Sequence, residues 1–224
     1  MHISPDGIIW WHFGVFSLNS TILYTWVVMV ILTVGSWLVT RHLSSDVHIS
    51  RWQHVLEVVV DGIRQQLSEI SRREPKGLLP FLGTLFLYIA VSNLLSIVPG
   101  FEPPTGSLST TAALSICVFL AVPGYGVSEI GLMNYLKNYL RPTPFMLPFN
   151  IMGEVSRTLA LAVRLFGNVM SGTMIGAILL AIAPLVFPVI MQLFGLLTGL
   201  VQAYIFAILA AVYIGAGMQV QKKG

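Results

Sequence analysis

The chain has 224 residues, of which 55% are hydrophobic and 9% charged, with a formal net charge of +3 and a mean hydropathy of +0.82. So few ionised groups cannot cover a soluble domain of this length, and the composition is that of an integral membrane protein. A single cysteine, Cys117, excludes an internal disulfide framework and, inside an apolar run, reads as a small buried hydrophobe.

In chain order, residues 1–20 carry Asp6 and no Lys or Arg. Without a basic n-region, the following run at 21–40 is expected to be a retained span, with 1–20 as an outer segment. Next, Ser50-Arg-Trp-Gln53 resembles a capping box, and Trp52, Leu56, Val59, Ile63, Leu67 and Ile70 recur at helical spacing. Glu57, Asp61, Arg64 and Glu69 fall on the opposite face, so 50–72 is expected to be an amphipathic helix on the membrane surface. Orientation and packing support are as good an explanation of it as a binding role. Apolar runs at 78–98, ending at Pro99-Gly100, and at 108–127, with Pro123 and Gly124 near its end, each match the ~20 residues that a span requires. A short surface helix is expected over 128–140, ahead of Pro142. The last two runs, 145–183 and 185–220, meet at Pro184 and Pro188. As a helix the first of them is roughly 50 Å long against a core of about 30 Å, so it must incline, kink or project. There is no internal repeat or low-complexity tract. The expected fold is all-α: one membrane domain, 1–224, with five transmembrane helices and an interfacial amphipathic helix.

Charge orients these spans. Arg41, Arg51, Arg64, Arg72, Arg73 and Lys76 follow the first, Lys137 and Arg141 the third, and Lys222 and Lys223 the fifth. The N-terminal segment and the loop at 99–107 have no Lys or Arg. The positive-inside rule then puts the N-terminus outside and the C-terminus in the cytoplasm, as an odd number of spans requires.

Two cations do not fit that pattern. Arg157 and Arg164 lie within the fourth apolar run, and no charged residue follows Arg164 until Lys222. Even on insertion scales, an ionised side chain at the bilayer centre costs about 2.5–3.5 kcal/mol, so a retained one points to a partner charge or an aqueous cavity. Glu154 and Arg157, at i and i+3, can satisfy each other locally. Arg164 has no acid after it, and Glu154 is ten residues back. Arg157 and Arg164 share a helical face with Ala160, Leu161, Asn168 and Ser171, and Gly167 and Gly172 lie beside it. In the next span Gly195, Thr198, Gly199 and Gln202 form a matching side, a pattern that also suits ordinary small-residue packing. A guanidinium stays charged when partly desolvated, whereas a buried lysine readily loses its proton. Arg164 is therefore a poor proton carrier and a good fixed charge. An acid is neutral in hydrocarbon and ionised beside Arg164, so moving one carboxylate between these settings makes it take up and release an ion.

The stretch Pro148-Phe-Asn-Ile-Met-Gly-Glu-Val-Ser-Arg-Thr-Leu-Ala-Leu-Ala-Val-Arg-Leu-Phe-Gly-Asn168 resembles the signature of subunit a of F-type ATP synthases. Ser92-Asn93-Leu94-Leu95, Pro99-Gly100, Gln202-Ala-Tyr-Ile-Phe206 and the order of spans support the resemblance, which covers nearly the whole chain. It implies a non-catalytic, ion-translocating stator in the Fo sector, with the last two helices forming a long tilted hairpin. Arg164 would face the carboxylate of the c-ring, with Asn168 and Gln202 at the interface between two ion half-channels and Arg157 two turns toward the cytoplasm. Ser171, Thr173, Thr198, Gln192 and Glu154 complete the expected ion pathway. The implied partners are the c-ring, the peripheral-stalk b subunits, the lipid bilayer and transported H+ or Na+, in a bacterial inner (plasma) membrane. No cofactor, metal or nucleic acid is expected.

The sequence departs from the family pattern twice. Thr173 and Gly195 stand where many members have titratable residues of the outer half-channel. That leaves protons to travel through water held by Ser171, Thr173, Thr198 and Gln192, or sodium as the coupling ion. Glu102 and Glu129, acids near membrane edges, read either as solvated loop residues or as groups at channel mouths. Two other classes remain at this point. A stand-alone secondary transporter would use Arg164 to bind an anionic substrate, but such folds commonly carry inverted repeats. An intramembrane enzyme lacks support: there is no His-Glu-x-x-His motif, no P-loop, and none of His2, His12, His42, His48 and His54 lies in a central apolar run.

Overall fold

In hydrocarbon, backbone N–H and C=O groups have no water to bond, so each apolar run must close its own hydrogen-bond ladder. In a computed structural model, five runs among the described residues do this as helices long and apolar enough to cross a membrane. The structure describes residues 9–13, 16–41, 61–62, 64–65, 77–98, 100–133, 135, 145–182 and 187–219. The helices are α1 (Ser20–Thr40), α2 (Leu78–Leu94), α3 (Leu108–Ile130), α4 (Met146–Ile182) and α5 (Phe187–Gln219). With 37 and 33 residues, α4 and α5 are roughly 55 and 50 Å long, well beyond a ~30 Å core, so they must incline or project. They pack against each other as a hairpin.

Of the surface helix expected over 50–72, only 61–62 and 64–65 are described, and these are helical; the rest of it lies outside the described residues. Of the one expected over 128–140, α3 takes the first part and 132–133 and 135 are helical, while 134 and 136–140 lie outside the described residues. The segment ahead of α1 is not featureless. Strand β1 (Ile9–Phe13) pairs antiparallel with β2 (Phe16–Asn19), with an irregularity between Ile9 and Trp11. Trp10, Trp11, Phe13 and Phe16 around Gly14 give this stretch the aromatic composition that favours a hairpin.

The core lies among α2, α3, α4 and α5. Leu82, Leu85 and Ile89 meet Val118, Val122, Leu161, Leu165, Phe206, Ala210 and Ile214, all buried. Helix α1 joins chiefly through α2, adding Val28. Burial is uneven, and the unevenness is informative: eight residues of α2 are buried, but among the described side chains of α4 only Leu161, Ala162 and Leu165 are. Most of α4 faces outward. Cys117, too, is on the exposed side of α3 rather than buried; on a membrane helix an outward thiol is still in apolar surroundings. Hydroxyls on the outward faces bond back to their own helices. Thr33 Oγ1 donates to Met29 O at 2.7 Å, and Thr84 Oγ1 to Pro80 O at 2.7 Å, which makes them tolerable in hydrocarbon.

The connection from α2 to α3 is folded into the bundle. Gly100 adopts φ +89°, a backbone conformation suited to glycine, and its carbonyl accepts a 2.8 Å bond from Tyr24 Oη of α1. Tyr24 also meets Phe101 edge-on, with centroids 4.7 Å apart. Pro103–Ser107 are buried, with a 3-10 turn at Pro104–Gly106. Asn93 of α2 pins this turn to α5: Thr105 Oγ1 donates to Asn93 Oδ1 (2.9 Å), and Asn93 Nδ2 donates to Gly199 O (3.0 Å).

Gly199 is where α5 comes close to α2, because a Cβ there would stand 2.9 Å from Asn93 Cβ and 3.0 Å from its Cγ. Asn93 is bonded at both ends and cannot swing aside. Gly199→Ala is therefore expected to destabilise the fold by roughly 1–3 kcal/mol through overpacking. Thermal unfolding of the detergent-solubilised protein measures this, and unchanged stability would refute the contact.

Candidate functional site

Along α4, Leu161, Ala162 and Leu165 turn into the core, while Leu159, Ala160, Val163, Arg164, Gly167 and Ser171 are exposed. Arg164 is thus a cation on an outward face where its nearest exposed neighbours are apolar or small. Among the described residues no acid forms an ion pair with it.

Two cavities open at opposite ends of the bundle. The first, about 400 Å³, is lined by Asn150, Glu154, Arg157 and Thr158 of α4, by Tyr213 and Gly217 of α5, and by Val118 and Val122 of α3. In it Arg157 lies over the Tyr213 ring, its Cζ 5.6 Å from the centroid, a cation–π seat for a charge in apolar surroundings. The second, about 330 Å³, is lined by Asn168, Gly172 and Thr173 of α4, by Gln192, Gly195 and Gly199 of α5, by Asn93 and Ser96, and by Glu102. Gln192 Nε2 donates to the carbonyls of Ser96 (3.2 Å) and Ile97 (3.3 Å), tying α5 to the end of α2. Asn168 Nδ2 makes a longer 3.4 Å contact to Thr198 O, tying α4 to α5.

Between these two cavities lies a layer of buried side chains. On α4 the lining stops at Thr158 and resumes at Asn168, a gap of ten residues or roughly 15 Å of helix. Leu161 and Leu165 of α4 and Gln202, Ala203, Phe206 and Ala210 of α5 fill that gap, all buried. Arg164 falls at this level, on the outward side.

The expected site residues therefore separate into groups. Glu154 and Arg157 share one cavity; Asn168, Thr173 and Gln192 share the other. Gln202 lines neither: it is buried between them, and its Nε2 has no hydrogen-bond partner. Ser171 is exposed and bonds Asn168 O (3.1 Å). Thr198 bonds Phe194 O (3.0 Å) and Gly195 O (3.1 Å), while Thr173 bonds Met170 O (2.9 Å). Sequence reasoning did not pick out Asn93 or Tyr213 as site residues, nor did it decide Glu102. Asn93 offered a signal, as an amide inside an apolar span. Tyr213 meets Arg157 only through the α4–α5 pairing.

Five helices long and apolar enough to span a membrane, among the described residues, define a polytopic membrane protein. Residues 22–215 match the family model described as ATP synthase A chain. The chain is 63% identical over 222 residues to ATP synthase subunit a 2 of Acaryochloris marina, covering 99% of this chain and 95% of that protein. It is 61% identical over 216 residues to ATP synthase subunit a of Nitrosospira multiformis (96% and 86% covered). With ATP synthase subunit a 1 of Chlorobaculum parvum it shares 59% over 223 residues (100% and 99%). The chain belongs to the ATP synthase A chain family. It is accordingly a multi-pass, non-catalytic membrane subunit of that complex, which sets aside the transporter and enzyme alternatives.

The Arg157–Tyr213 contact is worth about 0.5–2 kcal/mol. Tyr213→Leu should lower the thermal stability of the purified complex on that scale, and Tyr213→Phe, which keeps the ring, should not. Equal losses in both variants would assign the effect to the hydroxyl rather than to the ring.

Proposed function

We propose that this chain is the ion-translocating stator of a rotary ATP synthase, with the two cavities serving as half-channels to the c-ring and Arg164 keeping them apart. The observation that carries this reading is the position of Arg164 on the exposed face of α4, level with the buried layer between the cavities. A fixed cation facing hydrocarbon is costly, and a ring helix bearing a carboxylate removes that cost by supplying its counter-charge. As each ring carboxylate reaches Arg164 it ionises and gives its ion to one half-channel; having passed, it enters apolar surroundings and must reload from the other.

By the distribution of Lys and Arg, the Glu154 cavity opens to the cytoplasm and the Glu102 cavity to the outside. Glu154 and Arg157 line the cytoplasmic route, while Thr173 and Gln192 line the outer one. Asn168 and Gln202 flank the dividing layer, with Ser171 and Thr198 supplying hydroxyls nearby. The transported ion is H+ or Na+. A membrane potential contributes about 2.3 kcal/mol per charge per 100 mV, so several ions pass for each nucleotide made. The peripheral-stalk b subunits are further partners, and the complex sits in the bacterial inner membrane.

Arg164→Ala is expected to leave the complex assembled while reducing ATP-driven ion uptake and ion-driven ATP synthesis in vesicles to background. Arg164→Lys should fail to restore them, because a desolvated ammonium sheds its proton where a guanidinium does not. Ordinary ATP-driven pumping by the alanine variant would sink the proposal.

A further inference from the structure

We propose that Glu102 is the ion-loading carboxylate of the outer half-channel, holding a monovalent cation, either a proton or sodium, on its way to the ring. The inference rests on the half-channel reading above and supplies what Thr173 and Gly195 leave missing from it. Among the described residues, Glu102 is the one titratable side chain lining the second cavity, whose other polar groups are neutral amides and hydroxyls. Its Oε2 is buried and has no hydrogen-bond partner. An unpaired carboxylate oxygen away from water is unfavourable, and the complement that relieves it is a bound proton or a metal cation.

Glu102 is also held in place rather than carried on a loose loop. Gly100 on one side is tethered through its carbonyl to Tyr24 Oη at 2.8 Å. On the other, Pro103 and Pro104 fix the backbone, and Gly106 N donates to Pro103 O at 2.9 Å. Asn93 then locks Thr105 to α5. Thr173 and Gly195 line the same cavity as Glu102. A carboxylate brought in from the α2–α3 connection can therefore serve the space that a side chain at 173 or 195 would otherwise supply. The other titratable group reaching this connection is Tyr24, whose hydroxyl is occupied by Gly100.

The test uses the whole synthase in proteoliposomes, oriented so that the outer half-channel faces the lumen. ATP synthesis under an imposed potential is measured as luminal pH or luminal Na+ is varied. Glu102→Gln should shift the half-saturating ion concentration about tenfold, the equivalent of one pKa unit of cation attraction. A shift along the pH axis identifies the ion as a proton; a shift along the Na+ axis identifies sodium. A merely structural role would lower the maximum rate without moving half-saturation, and that result overturns the proposal. Glu102→Gln combined with Thr173→Glu returns the charge from the facing wall. This double variant should restore a value near the wild type, and it decides the matter if the single variant does not assemble; a value still shifted overturns the assignment. Arg164→Ala, run in the same liposomes, separates the two ideas. If it abolishes synthesis while Glu102→Gln changes nothing, Glu102 is dismissed and the stator reading stands; if it synthesises normally, the stator reading itself fails.

Discussion

A positive charge that cannot be discharged, on a helix face where its nearest exposed neighbours are apolar or small, is the constraint on which the arrangement turns. A guanidinium at Arg164 remains ionised whatever surrounds it, so the energetic problem must be solved by what comes to meet it. Helix α4 is built accordingly. Its inward residues, Leu161 and Leu165, anchor it to the core, while its outward face keeps Ala160, Gly167 and Ser171 beside the charge. Small side chains there permit another helix to come close. With only Leu161, Ala162 and Leu165 buried among its described side chains, α4 also has most of its surface free for such a helix.

The layer behind Arg164 matters as much as the charge itself. On the proposed stator reading, two half-channels that met would dissipate the ion gradient without work. Leu161, Leu165, Phe206 and Ala210 occupy the intervening space as buried side chains, which is where close packing would bar a water file. Gln202 is the exception in that layer, buried with an unpartnered Nε2. A buried donor left unpaired costs about 1–3 kcal/mol, which is reason to look for its acceptor on an incoming surface. Electrostatics and packing are thus placed at one level of the bundle.

The parts legible in the sequence were those that depend on scarcity. With so few charges, each Lys or Arg outside a loop stands out, and the apolar runs between them mark the spans; Arg164 and the overlong fourth helix followed from that alone. Residues brought together by tertiary packing were not legible in the same way. Arg157 and Tyr213 are 56 positions apart, and only the pairing of α4 with α5 puts one over the other. The β1–β2 hairpin escaped because the argument over residues 1–20 turned on charge, while its signal was aromatic composition around a glycine. Cys117 was misplaced for a related reason: in a membrane chain an apolar run does not say which side faces the interior.

Glu102 shows most clearly where one-dimensional reading stops. An acid followed by two prolines at a membrane edge looks like part of a solvated turn. Whether it is one depends on where the turn goes, and here Asn93 draws it into the bundle, burying Pro103 through Ser107. The same amide holds Gly199 close, so a single side chain of α2 sets both the approach of α5 and the depth of the connection. Placing the carboxylate on a connection rather than on α4 or α5 has a physical consequence. On the proposed stator reading, the two helices beside the rotor would then be free of titratable groups at 173 and 195 and could pack through small residues, while the charge that attracts the ion would stay in the cavity behind them. Ion loading and rotor contact would in this way fall to different elements, and neither would constrain the side chains available to the other.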